Sequence, residues 1–160
     1  VYEAWKKKKV WIVNAPGSGV ADDKAVYAFV PKIIEFFLNE KPIISQVKTY
    51  VCAFKKDCKF VLNNIEKLVI KPVNESGGYG ILIGPKASKN DIKKYQQKIR
   101  NNPRNFVAQP LIKLSTSPTL IGNKMEPRHL DLRPFILSGK KIFVTSGGLQ
   151  GLPWKKIQLL

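Results

Sequence analysis

The residues best suited to chemistry lie between Val69 and Pro85. Lys71-Pro72-Val73 leads into Asn74-Glu75-Ser76-Gly77-Gly78-Tyr79-Gly80, and a second apolar run, Ile81-Leu82-Ile83, follows. Alternation from Leu68 to Val73 predicts a strand with Val69, Lys71 and Val73 on one face and Leu68 and Ile70 on the other. An ammonium in that company must shed water, which a chain tolerates best where an anion sits against it. The loop offers such an anion its donors. Glycines at 77, 78 and 80 allow positive φ and close backbone approach, so consecutive amide N–H groups can face one set of oxygens, and Ser76 adds a hydroxyl. A Walker-type loop would end in Gly-Lys-Ser/Thr and open a helix, whereas here the chain runs on as a strand towards Pro85. The chemistry implied is the holding of a polyphosphate between a strand lysine and a hairpin tip. The same Ser-Gly-Gly-Tyr-Gly run also suits a flexible hairpin loop with no ligand.

The elements that must carry this loop are readable in outline. Val10 to Val13 reads as a short strand ending in Asn14-Ala15-Pro16-Gly17-Ser18-Gly19, an order that imitates a dinucleotide-binding turn. Asp22 stands where the third glycine would be, and its carboxylate would repel a pyrophosphate, so the imitation is discounted. Asp22 or Asp23 caps a helix carrying Val26, Phe29, Val30, Ile33 and Phe37 on one side, and Pro31 kinks it or starts a second segment. Residues 41–53 are irregular, with a short strand near Thr49-Tyr50-Val51. Phe54 to Asn64 suits a helix that is basic outside, with Phe60, Val61 and Ile65 inside. Ser88-Lys89-Asn90-Asp91 is a capping box opening a helix with Ile92, Tyr95 and Ile99 in register, closed by Asn102-Pro103. Phe106 to Gln109 is a strand that ends at Pro110. Residues 128–137 alternate again, with His129, Asp131 and Arg133 on one face, and Ser138-Gly139-Lys140 turns the chain into Ile142 to Thr145. Those three ionisable groups form either a wetted sheet surface or the wall of a polar cleft.

Composition sets the bounds. A chain of 160 residues is one domain or a piece of one, able to bury a core. No apolar run reaches the length of a bilayer crossing, and the basic opening Lys6 to Lys9 is followed by too short an apolar stretch for a signal peptide, so a cytoplasmic protein is expected. The formal net charge of +17 attracts polyanions, but its lysines are scattered rather than gathered into an arginine-rich stripe, which favours a solvated surface. A basic module binding nucleic acid or another polyanion, with Tyr2, Trp5 and Trp11 as stacking platforms, is the alternative and the weaker reading. Cys52 and Cys58 are spaced too widely for a thioredoxin-type pair, and no second pair completes a zinc site, so both read as reduced structural thiols. His129 is the only histidine.

Six blocks in order carry a resemblance to a known family. They are Asn-Ala-Pro-Gly-Ser-Gly-Val-Ala-Asp-Asp-Lys at 14–24, Lys-Pro-Val followed by Ser-Gly-Gly-Tyr-Gly at 71–80, Ile-Gly-Pro at 83–85, Ala-Gln-Pro at 108–110, Leu-Ser-Thr at 114–116, and Glu-Pro-Arg-His-Leu-Asp-Leu-Arg-Pro-Phe at 126–135. From Val13 to Leu149 the chain resembles the circularly permuted ATP-grasp family, type 2. The resemblance implies an α+β fold of two subdomains with mixed or antiparallel sheets clasping ATP. Residues 60–110 would form the nucleotide-binding subdomain, with 10–59 and 111–149 belonging to the larger one. It implies a ligase that phosphorylates a carboxylate to an acyl phosphate before an amine attacks, with ATP and Mg2+ as cofactors.

Residue by residue, the resemblance implies that Lys71 contacts the phosphates and that Ser76, Gly77, Gly78, Tyr79 and Gly80 form a mobile loop over them. Gln109 would lie beside the adenine, and Asn14 would match a metal-binding asparagine. Arg133, with Asp131, would match an Asp-x-Arg strand in which the guanidinium stabilises the transferring phosphoryl group. A local ion pair is the other reading of Asp131 and Arg133. The acidic metal ligands that precede the first block in the family have no counterpart in the thirteen residues here, and Gln150 to Leu160 does not match the family's continuation. The expectation is therefore a domain truncated at both ends, incomplete or inactive by itself, with a partner chain supplying the missing metal ligands.

Overall fold

The computed structural model describes residues 1–14 and 16–151, and of residues 131–133 and 147–151 it describes the backbone alone. In chain order the elements are α1 (Tyr2–Lys6), α2 (Lys24–Tyr27), α3 (Val30–Leu38), β1 (Tyr50–Val51), α4 (Lys55–Asn64), β2 (Leu68–Pro72), β3 (Leu82–Ile83), α5 (Lys89–Asn101), β4 (Phe106–Pro110), β5 (Thr116–Ile121), β6 (Lys124–His129), β7 (Asp131–Ser138) and β8 (Ile142–Gly151). They form two compact units, Val1–Leu111 and the residues from Ile112 onward. Helices and antiparallel sheets together make this a mixed α and β chain.

The first unit is built on a four-stranded sheet in the order β1-β4-β2-β3, every neighbour antiparallel. Local sequence explains why these strands form. β2 opens with three consecutive buried apolar residues, Leu68, Val69 and Ile70, and packs in the centre between β3 and β4. One face, carrying Leu68, Ile70, Leu82 and Ala108, is covered by Val61 of α4 and by Ile92 and Ile99 of α5. Ile70, Ile99 and Val61 have no exposed surface, so this is where the unit is held together. The opposite face carries Val51, Val107 and Val73, which pack with Ala25 of α2.

The helices start where their caps allow. Ser88 Oγ accepts from the Asp91 N–H at 3.1 Å and donates to the Asp91 carboxylate at 2.6 Å, so Ser88 caps α5 as the motif predicts, with the return contact made through its hydroxyl. Asp23 caps α2 by accepting from the Ala25 N–H at 2.8 Å. Pro31 divides the expected single helix into α2 and α3, sitting in the first turn of α3 where its missing N–H costs nothing. The periodic apolar face of α3 is only partly used, since Phe36 and Phe37 are exposed.

Three sequence expectations need correction. Val10 to Val13 is not a strand, and Trp11 and Val13 stand almost wholly in solvent. An apolar run becomes a strand only when another edge satisfies its backbone, and among the described residues no partner pairs with it. Phe60 faces outward more than its period suggests, although its ring still stacks on Tyr50 at 4.5 Å. The alternation over 128–137 is broken at Leu130, whose N–H bonds to the Ser115 carbonyl at 2.9 Å, so β6 and β7 are separate strands.

The second unit consists of two hairpins. β5 pairs with β6 from Thr116↔His129 to Ile121↔Lys124, and β7 pairs with β8 with an irregularity between Pro134 and Ile136. Proline has no N–H to give a ladder, which accounts for a slip at that point.

Candidate functional site

The site begins with the register of β2 against β4. Lys71 stands opposite Val107 and Val69 opposite Gln109, so Lys71 and Gln109 share the sheet face that α4 and α5 leave uncovered. Lys71 is half-buried. Loss of water lowers its pKa from the ordinary lysine value, and the positive charge of Lys24 adds to the effect. Two ammonium groups held near one another, one of them partly desolvated, make a site that favours an anion.

Lys24 is brought there by backbone as well as by charge. As the first residue of α2, it donates its N–H to the Val73 carbonyl at 3.0 Å, and its ammonium donates to the Glu75 carbonyl at the root of the glycine loop. Asp23 secures this docking from behind. Arg104 lies 2.7 Å from its carboxylate, and that contact, with the Ala25 N–H, holds the Asp23 carboxyl below the usual range. Asp23 therefore serves as helix cap and as ion-pair anchor, while the next residue points a cation at the loop.

The loop adopts the conformation its glycines permit. Gly77, Gly78 and Gly80 have φ of 64°, 80° and 66°, and the Tyr79 N–H closes a turn on the Ser76 carbonyl at 3.3 Å. A Cβ on Gly80 would lie 2.9 Å from Cγ of Pro72, so a side chain is excluded by contact as well as by conformation. Beside the loop is a cleft of about 490 Å³ in which Lys24, Ser76, Gly77 and Tyr79 share the lining with two acidic residues, Asp22 and Glu75, so its charge is mixed. Lys24 is the cation that lines it, and Lys71, one residue before Pro72 on β2, is not among the lining residues.

Gln109 donates its side-chain N–H to Thr49 Oγ1 at 2.8 Å, and Thr49 in turn donates to the Val47 carbonyl at 3.0 Å. The amide is thus held on the sheet face two residues along from Val107. Asn14 is exposed, before the turn that begins at Pro16. Asp131 and Arg133 begin β7 in the second unit, opposite Gly151 and Leu149, and their side chains lie outside the described residues. His129 closes β6 with Nδ1 at 3.3 Å from the Leu114 carbonyl.

A family model described as circularly permuted ATP-grasp type 2 matches residues 1–152. The chain belongs to the circularly permuted ATP-grasp type 2 family. It is 46% identical over 159 residues to an uncharacterized protein of Synechocystis sp., a match covering 99% of this chain and 33% of that one. An uncharacterized protein of Mycobacterium tuberculosis is 47% identical over 141 residues, covering 88% of this chain and 26% of its own. A Frankia casuarinae protein, provisionally named glutamate–cysteine ligase 2-2, is 41% identical over 146 residues, or 91% of this chain and 17% of its own. The chain therefore spans about a third or less of the length of these relatives.

Family membership makes the fit of its usual partners a question for these residues. A nucleotide's phosphates suit Lys24 and the run of positive-φ glycines beside it, while Asp22 and Glu75 on the same cleft oppose them. Magnesium does not fit in the same way. It requires an octahedron of oxygens, Asn14 offers one amide oxygen, and among the described residues no three of His, Cys, Asp and Glu gather as a metal site. Among the described residues no helix is long and apolar enough to cross a membrane.

This ATP-grasp chain uses residues that periodicity alone did not single out. Lys24 is the chief one. It stands at the end of the 14–24 block, directly after a capping aspartate, and that position was the available signal: a cation fixed at a helix start is held rigidly. Arg104 and Thr49 gave no local signal, since each acts on a residue far away in the chain.

Proposed function

We propose that this chain is a nucleotide-binding portion of an ATP-dependent ligase that joins a carboxylate to an amine through an acyl phosphate. One observation carries the reading above the rest: the Lys24 ammonium is tied to the Glu75 carbonyl at the root of the glycine loop, and Lys71 stands half-buried on the central strand that leads into that loop. Separated charges of like sign gain nothing from proximity, and the arrangement becomes favourable when a polyanion lies between them. In this reading Lys24, Lys71 and the amides of Gly77 to Gly80 hold the phosphates. Gln109, already fixed by Thr49, presents its amide to the base. Tyr79 at the exposed tip moves with the loop as it closes.

The family match and the provisional ligase name of the Frankia relative support the class of reaction. The metal ligands are proposed to come from carboxylates outside the described residues, on a partner chain or on another segment, with Asn14 contributing one oxygen. Asp131 and Arg133 are proposed to act in the second unit, the guanidinium neutralising charge on the phosphoryl group in transfer. Titration calorimetry with ATP tests the core of the reading. The wild-type chain is expected to bind and Lys71→Ala to bind much more weakly, and equal affinity of the two proteins would remove Lys71 from the site.

A further inference from the structure

Three stretches far apart in the chain meet where β2 gives way to the glycine loop. Val73, between Pro72 at the end of β2 and Asn74, is buried, and its backbone is held on both sides. Its carbonyl accepts from the Lys24 N–H at 3.0 Å, and its N–H donates to the Asn105 carbonyl at 3.0 Å. Side chains make the third side. Arg104, the neighbour of Asn105, places a guanidinium nitrogen 2.7 Å from the carboxylate of Asp23, the neighbour of Lys24. Residues 23–24, 73 and 104–105 thus form a closed ring in which each stretch is tied to the other two.

The sides of this ring differ in how firmly they are backed. The bond from Val73 to Asn105 continues the β2–β4 ladder past Pro72↔Phe106, and Val73 is fastened further by packing with Val51, Val107 and Ala25. Residues 23–24 have less behind them. α2 is four residues long, too short to persist without tertiary support, and Ala25 is its buried residue. The Asp23 carboxylate divides its oxygens, Oδ1 accepting from the Ala25 N–H at 2.8 Å and Oδ2 facing Arg104. Removing the guanidinium therefore leaves the cap in place and cuts the side that fixes α2 against the turn Pro103–Asn105. Lys24 is the residue displaced, and its ammonium is the one that reaches the Glu75 carbonyl and lines the cleft beside the loop.

We propose that Arg104 is a positioning residue for anion binding at the glycine loop, acting through Asp23 to hold Lys24 and the root of the loop in place. This role rests on the phosphate-binding reading of that loop. Neither Arg104 nor Asp23 is among the residues lining the cleft beside it, so the effect passes through the ring and not through contact with the ligand. The Arg104 side chain is 61% exposed, and an ion pair so open to water adds little to overall stability. Its consequence is therefore expected in the placement of Lys24 and not in the fold. The sign of the Asp23 charge separates positioning from bulk attraction. Neutralising Asp23 makes the region more positive and by Coulomb attraction alone would tighten the binding of a polyanion, whereas opening the ring weakens it.

Calorimetry with inorganic tripolyphosphate on the intact chain, at one fixed ionic strength, tests this in a double-mutant cycle of Arg104→Gln and Asp23→Asn. Asparagine keeps an oxygen for the Ala25 N–H, so the helix cap survives. Each single change is expected to weaken binding about fivefold, and the double change no further than either one. Arg104→Lys should restore most of the affinity. In the ligand-free chain, amide hydrogen exchange should quicken at Lys24 in both single variants and stay unchanged at Ile70 and Ile99. Tighter binding by Asp23→Asn, additive losses in the double variant, or unchanged affinity in Arg104→Gln where Lys24→Met weakens binding would each overturn the role of Arg104. Unaltered exchange at Lys24 would overturn it without reference to any ligand. If Lys24→Met also binds as the wild type does, the phosphate-binding reading fails and this role falls with it.

Discussion

Replacing Lys71 by methionine should weaken ATP binding and, at the same time, leave the ligand-free protein as stable as before or more so. Methionine keeps the length and much of the volume of the lysine stem, so packing against Val107 and its neighbours on the sheet face is largely preserved. What disappears is an ammonium that the fold holds partly out of water and near Lys24. Its pKa is lowered in the folded state, so between that lowered value and the ordinary lysine value the unfolded chain binds more protons. Stability of the wild type should therefore rise with pH across that window, and the variant should lack the rise.

Binding should change in the opposite sense. One hydrogen bond between charged groups contributes about 1.5–3 kcal/mol, which is roughly a ten- to hundredfold weakening when it is lost. Denaturant titration at several pH values measures the first effect, and calorimetry with ATP measures the second. A variant that is destabilised, with ATP affinity intact, would refute the assignment of Lys71 as a charge held ready for an anion and leave it a structural side chain.

Other outcomes follow from geometry. Gly80→Ala should displace the loop, because its Cβ would meet Pro72 at 2.9 Å in a backbone with φ of 66°, so ATP affinity should fall while the melting temperature changes little. Gly84→Ala should instead destabilise the first unit by about 3 kcal/mol, seen as a lower denaturation midpoint, because a Cβ there would lie 2.0 Å from the Ile65 carbonyl oxygen and 2.7 Å from that of Leu68. Asp23→Asn should alter the acid limb of stability. The folded pKa of Asp23 lies below its unfolded value, so its contribution is present above about pH 4 and is lost as pH falls through the folded pKa. Unfolding followed by circular dichroism from neutral to acid should show a shallower decline in the variant.

Local signals in the sequence were sufficient where local physics decides the outcome. The Ser88 capping box, the division of the helix at Pro31 and the alternation of β2 all depend on residues within a turn or a strand of each other. Glycine spacing likewise indicated the loop, because positive φ is a property of single residues. Legibility ended where long-range pairing decides. Val10 to Val13 has strand composition but no partner among the described residues, and Leu130 leaves the ladder for a carbonyl at Ser115. The approach of Lys24 to Lys71 depends on a backbone bond between Lys24 and Val73, which no periodicity within either segment encodes. The family blocks placed Lys24 in a motif, yet only folding shows that its ammonium reaches the glycine loop.

The most direct measurement of the central claim is an NMR titration of the chain with ATP and with inorganic tripolyphosphate, following the backbone amides of Gly77, Gly78 and Gly80. Both ligands are expected to shift these amides, and the shifts should vanish when Lys24 and Lys71 are replaced together. Glycine amides that stay unmoved while ATP binds elsewhere on the chain would contradict the account.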